Sequence, residues 1–303
     1  MSDIKLFSIR DGRVEGILGH AVPVEKSLQK LIEQHLDTLL SMRFLASEYS
    51  TGRTHGGRID TLAIDENNSP VIIEYKRTLN ENVINQGLYY LNWLLDHRAE
   101  FKLLVLERLG KDAAAAIEWS SPRLCCIAGD FTKFDEHAVQ EINKNIELLR
   151  YRKYGDDLLL LELVNATTAE LVQIETEGDG KAAGKYKTFE EYLAQSPEEL
   201  RERFENLKSF VMALGDDVQL KQLKYYVAFR RLENFACVEV HPQTGQLLVF
   251  LKIDPTSMTL EADFSRDVSN IGHYGTGDLE VRIKNDTDLQ KAKPLISRSY
   301  EKS

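Results

Sequence analysis

No stretch of the chain approaches the ~18 consecutive apolar residues that a membrane-spanning helix requires. Its start, MSDIKLFSIRDGR, lacks the basic region, apolar stretch and small-residue cleavage site of an export signal. Neither insertion nor secretion is expected. Cysteine is scarce: three residues, with Cys125 and Cys126 adjacent, give neither a disulfide framework nor metal-ligand spacing. That usage suits a reducing interior with cysteines as small buried apolar groups, so the cytoplasm is the expected location. Also missing are a GxxxxGK phosphate loop, an HExxH zinc helix and a GxSxG elbow, which removes the commonest NTPase, zinc-protease and esterase readings. Basic excess is absent too. A net charge of −10 argues against a surface coated in Lys and Arg for nonspecific nucleic-acid binding. The acidic excess is local, however, because residues 155–180 carry seven carboxylates and no Lys or Arg. A site that collects a divalent cation is itself negative until the cation arrives, so the total charge excludes little.

What the chain does have is length and a balanced make-up. Its 303 residues, 43% apolar and 28% charged, exceed one ordinary core and predict a globular protein of two domains. The expected division is an α/β domain over 1–177, with a central mixed sheet flanked by helices, a linker over 178–187, and a smaller α+β domain over 188–303. LFSI and VEGI flank an Asp11-Gly12 turn and predict a hairpin. Leu28, Leu31, Ile32, Leu36, Leu39 and Leu40 recur at helical spacing from Glu25 to about Leu40. His35 on that helix is expected to be a solvated or capped side chain. FLASEYSTGRTHGG, dense in Ser, Thr and Gly, precedes two strands, RIDTLAID and PVIIEYKR, joined by the turn ENNS. A helix is expected from Glu81 to His97, then strands at FKLLVLER and RLCCIAG, a helix over 135–150 and a strand at YGDDLLLLELV. In GDGKAAGK, at 178–185, periodicity disappears. Beyond it Thr188 with Glu191, and Ser196-Pro197-Glu198-Glu199, look like helix starts, with helices over most of 189–214. YYVAFRR, FACVEVHP, QLLVFLKI, TLEADF and LEVRIK come next as strands, with a Gly-rich loop, IGHYGTGD, and a last helix from Thr287.

The chemistry concentrates in residues 45–90. Phosphodiester hydrolysis needs hard oxygen ligands for Mg²⁺ or Mn²⁺ and a group that orients an attacking water. In IIEYKR the side chains alternate, so Glu74 and Lys76 share one face of a strand while Tyr75 and Arg77 point the other way. Asp60 comes from the preceding strand, and a short turn brings neighbouring strands to about 5 Å, close enough for Asp60 and Glu74 to share one cation. The backbone carbonyl of Tyr75 is a natural further ligand. A surface ion pair is the plain alternative for an E-x-K strand. Against it, these charges stand in otherwise apolar strands, where unpaired they would cost several kcal/mol.

Gly57-Arg58-Ile59-Asp60, thirteen residues, then Glu74-Tyr75-Lys76 resembles the PD-(D/E)XK nuclease motif, in the GRID…ExK form of endonucleases of the NucS type. Gln86 and Tyr90, spaced as QxxxY on the next helix, resemble the pair that RecB-like members place beside the metal site. Glu48 resembles an upstream helical or loop glutamate that many members add. The resemblance implies a restriction-endonuclease-like fold, Asp60 and Glu74 as Mg²⁺ ligands and Lys76 holding or activating the water. It further implies Glu48 as an outer ligand or nearby acid, and Gln86 and Tyr90 near the substrate phosphate. Ile59 stands where the family name has proline, and its side chain faces away from Asp60. Gln86 facing solvent and Tyr90 packing beside Tyr89 and Trp93 remain the structural alternatives. Arg53, His55, Arg58 and Arg77 are the nearby groups that could steer phosphates.

Residues 204–300 resemble an uncharacterised C-terminal domain family that has carried the label "predicted transport protein", although no membrane segment or solute-pocket motif accompanies it. Lys221, Lys224, Tyr225, Tyr226, Arg230 and Arg231 interleave basic and aromatic groups, a pattern that can follow a phosphate backbone and stack bases or simply form a half-packed strand. His273 stands alone in its loop. The expectation is therefore a Mg²⁺-dependent endonuclease acting on DNA, in repair or in defence against foreign DNA, with RNA left open and a homodimer anticipated because paired cuts need two sites. The C-terminal domain would serve substrate recognition or dimerisation. The competing expectation is a catalytically silent nuclease fold that binds nucleic acid or regulates.

Overall fold

The computed structural model describes residues 4–20, 25–76, 82–167 and 187–303. The chain divides into two compact units, Met1–Glu170 and Leu171–Ser303. The expected linker, Lys187 excepted, lies outside the described residues, as does Arg77. No described helix is long and apolar enough to cross a membrane.

The first unit opens with a hairpin of β1 (Leu6–Arg10) and β2 (Arg13–Ile17). Asp11 and Gly12 both take positive φ, 50° and 76°, as a tight two-residue turn demands. A short β3 (Gly19–His20) leads to α1 (Glu25–Gln34) and α2 (Leu36–Leu40). The single helix expected over 25–40 is broken at His35, whose N–H bonds back only three residues, to Ile32. The Ser/Thr/Gly-dense stretch begins with β4 (Met42–Ser50) and ends in a turn of helix, α3 (Gly52–His55). Next come β5 (Arg58–Asp65), β6 (Pro70–Lys76) and α4 (Val83–Asp96), as the sequence predicts.

Two expectations fail beyond α4. FKLLVLER is no strand but part of α5 (Arg98–Leu109), which continues into α6 (Lys111–Ala115). Its buried positions are Phe101 and Val105, four apart, while Leu103 and Leu106 are exposed, so the apolar run conceals a helical period. After β7 (Arg123–Ala128), the helix predicted over 135–150 is instead α7 (Lys133–Gln140) and then β8 (Asn145–Tyr154). Residues 146–151 are all buried, including Glu147 and Arg150, which are paired with Arg123 and with Asp130 and Glu162; two charges three apart in an apolar stretch look like the polar face of a helix although they belong to a buried strand. β9 (Leu158–Thr167) completes the unit.

Among the described residues, seven of these strands form one sheet in the order β3-β8-β7-β6-β5-β4, with β9 also on β8. β7 is parallel to both β6 and β8, and the other pairs are antiparallel, a mixed α/β sheet. One side packs α4 and α5 through Leu62, Ile72, Leu91, Trp93, Phe101 and Leu124. All three cysteines are buried, Cys125 and Cys126 on β7.

The second unit is α+β. Helices α8 (Phe189–Ala194) and α9 (Glu198–Met212) precede β10 (Gln219–Gln222), β11 (Val227–Arg230), β12 (Asn234–His241), β13 (Gln246–Leu251), β14 (Ser265–Asp267), β15 (Leu279–Ile283) and α10 (Asp286–Tyr300). Thr188 and Glu191 form the expected reciprocal cap on α8. Ser196 does not cap α9; its hydroxyl donates to the Tyr192 carbonyl and Pro197 holds the cap position. TLEADF is not a strand, since β14 starts only at Ser265, and β10 has no clear sequence signal. The antiparallel order is β10-β11-β12-β13-β15-β14, and Phe204, Leu207, Ala292 and Ile296 of the helices share one core with Phe229, Val249 and Val281.

Candidate active site

β5 and β6 pair with Thr61 opposite Ile73 and Leu62 opposite Ile72. One step further along this register Asp60 stands opposite Glu74, and there the side chains take over from the ladder. Glu74 Oε1 accepts the Asp60 N–H at 3.1 Å, and Asp60 Oδ2 accepts the Tyr75 N–H at 3.0 Å. Alternation assigns the faces. Leu62 and Ile72 belong to the core beneath α4, so Asp60 and Glu74 face that layer, and Lys76 comes next on the same side, half-buried at the end of β6. Thr61 and Tyr75 face α1: the Thr61 hydroxyl donates to Glu33 at 2.5 Å and lies 3.4 Å from the Tyr75 hydroxyl. Burial holds that phenol protonated far above its ordinary range. Gln29 on α1 is a buried support that the sequence does not announce, because a Gln on a helix is usually solvated. Its amide donates to the Asp60 carbonyl at 2.9 Å and to Ser47 Oγ at 3.3 Å.

Glu74 is fully buried, and a carboxylate there is tolerable only with donors around it. Besides the Asp60 amide, Gln86 on α4 supplies one, its Nε2 lying 3.1 Å from Glu74 Oε2. One turn along α4, the Tyr90 hydroxyl is 3.3 Å from the Gln86 amide and accepts the Arg58 N–H at 3.1 Å. Tyr90 thus satisfies both of its readings, with the ring in the core and the hydroxyl at the site. Gly57 permits this approach, since a Cβ there would stand 2.5 Å from the Tyr90 ring. Gly87 seats α4 on β7, where a Cβ would meet Leu124 at 2.3 Å. Cys126 lies beside Glu74 in the β6–β7 register, and burial, with Cys125 and Glu74 nearby, pushes its thiol well up and keeps it neutral.

Next to these groups is an open cleft of about 680 Å³, lined by Arg53, Arg58, Gln86 and Tyr90 and by the backbone of Gly56 and Gly57. Arg58 pairs with Glu48 at 3.3 Å. Glu48 lies within β4, not in a helix or loop, and adopts a left-handed φ of 52°, a conformation that a non-glycine residue holds only under constraint. Among the described residues no three or more His, Cys, Asp or Glu side chains gather as a metal-binding group. The donor set here is the Asp60–Glu74 pair, with the Tyr75 carbonyl as a further oxygen. Hard oxygens on opposing strands, one of them fully buried, are chemically suited to Mg²⁺ or Mn²⁺. His55 is not free in the cleft: its ring lies against Tyr89 and His97, centroids 5.2 and 5.8 Å away, and its carbonyl accepts the Tyr89 hydroxyl.

In the second unit the basic and aromatic residues separate. Lys221, Tyr226 and Arg230 are buried, Arg230 donating to the Leu232 carbonyl at 2.7 Å. Arg231 is held by Asp217 at 2.6 Å and by the Ser303 carbonyl at 3.0 Å. Of the six, only Lys224 is exposed, over the ring of half-buried Tyr225, which stacks on Tyr274 at 4.8 Å. His273 stacks on Phe250 at 4.1 Å and 2°.

Comparison with known proteins adds little chemistry. Residues 189–303 match a family described as a domain of unknown function (DUF5655). Over 309 aligned positions the chain is 28% identical to an uncharacterized protein of Haemophilus influenzae, covering 98% of this chain and all of that one. No solved structure matches significantly.

Proposed function

We propose that the first unit is a restriction-endonuclease-like domain of the PD-(D/E)XK type and that the protein is a Mg²⁺- or Mn²⁺-dependent endonuclease acting on DNA, in repair or in defence against foreign DNA. One observation carries this reading. Where the β5–β6 ladder ends, Asp60 and Glu74 stand opposite each other on one face, each carboxylate engaged by backbone N–H of the other strand, with Gln86 and Tyr90 closing over them.

In this reading Asp60, Glu74 and the Tyr75 carbonyl hold the cation, and Gln86 fixes the orientation of Glu74 as hydrogen-bonded supports of ligating carboxylates do. When bound, Mg²⁺ offsets charge developing on the phosphate and lowers the pKa of a water. Lys76, two residues beyond Glu74 on the same face, orients the attacking water by donating to it. Arg58 and Arg53 line the adjoining cleft, where guanidinium groups suit phosphate oxygens. Arg58 must exchange its Glu48 partner for substrate. The competing reading, a nuclease fold that binds without turnover, draws on that same Arg58–Glu48 pair, which engages the third acid with an arginine.

The deciding experiment incubates linear, circular, single-stranded and branched DNA with the full chain and Mg²⁺ or Mn²⁺. Wild type should cut at least one of these, and Asp60→Ala, Lys76→Ala and EDTA should each abolish cutting. A wild type inert on every DNA and on RNA, or variants that cut equally well, would sink the catalytic reading and leave the binding one.

A further inference from the structure

The β1–β2 hairpin is built inside out. Its register sets Phe7 opposite Gly16 and Ile9 opposite Val14, so these four residues share one face, and the Phe7 ring lies over Gly16, where a Cβ would stand 3.9 Å from it. That face is turned to solvent: Phe7, Ile9 and Val14 are 57%, 74% and 62% exposed. On the opposite face Leu6, Ser8 and Ile17 are half-buried, in the company of Arg10, Arg13 and Glu15. Among the described residues the hairpin is a sheet of only two strands, with no third strand on either edge. Two strands alone are marginal in water, and stability comes with a third or fourth strand sharing an apolar face.

The two edges differ. β2 carries Arg13 and Glu15, whereas β1, Leu6-Phe7-Ser8-Ile9-Arg10, has no charge before its last residue and no proline, the devices that normally guard an edge. Antiparallel pairing of β1 with a second β1, centred on Ser8, sets Phe7 opposite Ile9 of the other copy and Ser8 opposite Ser8. The same operation on β2 sets Glu15 against Glu15, which repels. Pairing through β1 also continues the apolar stripe across the seam as Val14, Ile9, Phe7 and Gly16, twice over, the last two from the other copy each time. No formal charge lies on that stripe.

We propose that β1 is a homodimerisation edge, and that two copies of this chain join in a four-stranded antiparallel sheet ordered β2-β1-β1-β2 about a twofold axis through Ser8. The partner is a second copy because the edge is complementary to itself in register, shape and charge.

The test is sedimentation of the full chain at micromolar concentration in EDTA without DNA, a readout independent of any nuclease activity. Wild type should be a dimer. Within one hairpin Ser8 stands opposite Glu15, so Ser8→Lys is accommodated in the fold, yet it opposes like charges across the seam and should raise the dimer dissociation constant about tenfold or more. Ser8→Glu should weaken it likewise, and an equimolar mixture of the two variants should restore the dimer. Phe7→Ser should give a monomer that keeps the wild-type circular dichroism spectrum at 25 °C. A wild type that is monomeric throughout overturns the proposal, as does a dimer that Ser8→Lys leaves intact. So does a monomer that floats with anionic phosphatidylcholine–phosphatidylglycerol vesicles, which would assign the stripe to a lipid surface.

Discussion

At the scale of the residue, Glu74 bears the strongest constraint. It is a carboxylate at zero exposure whose two oxygens are divided between the Asp60 amide and the Gln86 side chain. Removing Gln86 leaves one oxygen without that donor while touching little of the core, because Gln86 is only half-buried. Gln86→Ala should therefore lower the cleavage rate roughly 10- to 100-fold, as loss of supports behind ligating groups does. Thermal denaturation beside a steady-state assay checks this; an equal rate would mean that the amide is incidental. The three residues proposed to act, Asp60, Glu74 and Lys76, are legible in the sequence because charge interrupts apolar strands at fixed alternation. Gln29 is not, because nothing in a helical Gln foretells that its amide will be buried against a strand carbonyl. The ion pair of Arg58 with Glu48 is equally silent, since it depends on a left-handed residue within β4.

At the scale of the element, α4 connects fold and site. Its seating on β7 depends on Gly87, whose missing Cβ leaves room for the fully buried Leu124. Gly87→Ala should cost about 1–3 kcal/mol through overpacking, read as a lower denaturant midpoint, with a larger fall in activity if α4 lifts Gln86 from Glu74. A stability equal to wild type would show that Leu124 can turn aside. β5, β6 and β7 are evident as short apolar runs bounded by turn residues, and α4 from its helical period. α5 is not, because Phe101-Lys102-Leu103-Leu104-Val105-Leu106 offers apolar residues to either period. Burial decides: only the i, i+4 pair Phe101 and Val105 faces the core fully. β8 is hidden for another reason. Its buried Glu147 and Arg150, paired with Arg123 and with Asp130 and Glu162, interrupt the apolar residues three positions apart, as the polar face of a helix would.

At the scale of the whole molecule, the proposed function has an acidic chain of net charge −10 approach a polyanion, which would place the weight of recognition on local groups: Arg53 and Arg58 in the first unit and Lys224 beside Tyr225 in the second. The account rests on a divalent cation supplying the charge that the surface lacks. Its most direct measurement is Mn²⁺ binding monitored by electron paramagnetic resonance on the full chain with DNA present. Wild type should bind Mn²⁺ in at least one site that Mg²⁺ displaces, and Asp60→Asn and Glu74→Gln should each lose it while remaining folded by circular dichroism at the assay temperature. Mn²⁺ binding that is absent from wild type, or undiminished in both variants, would contradict the account.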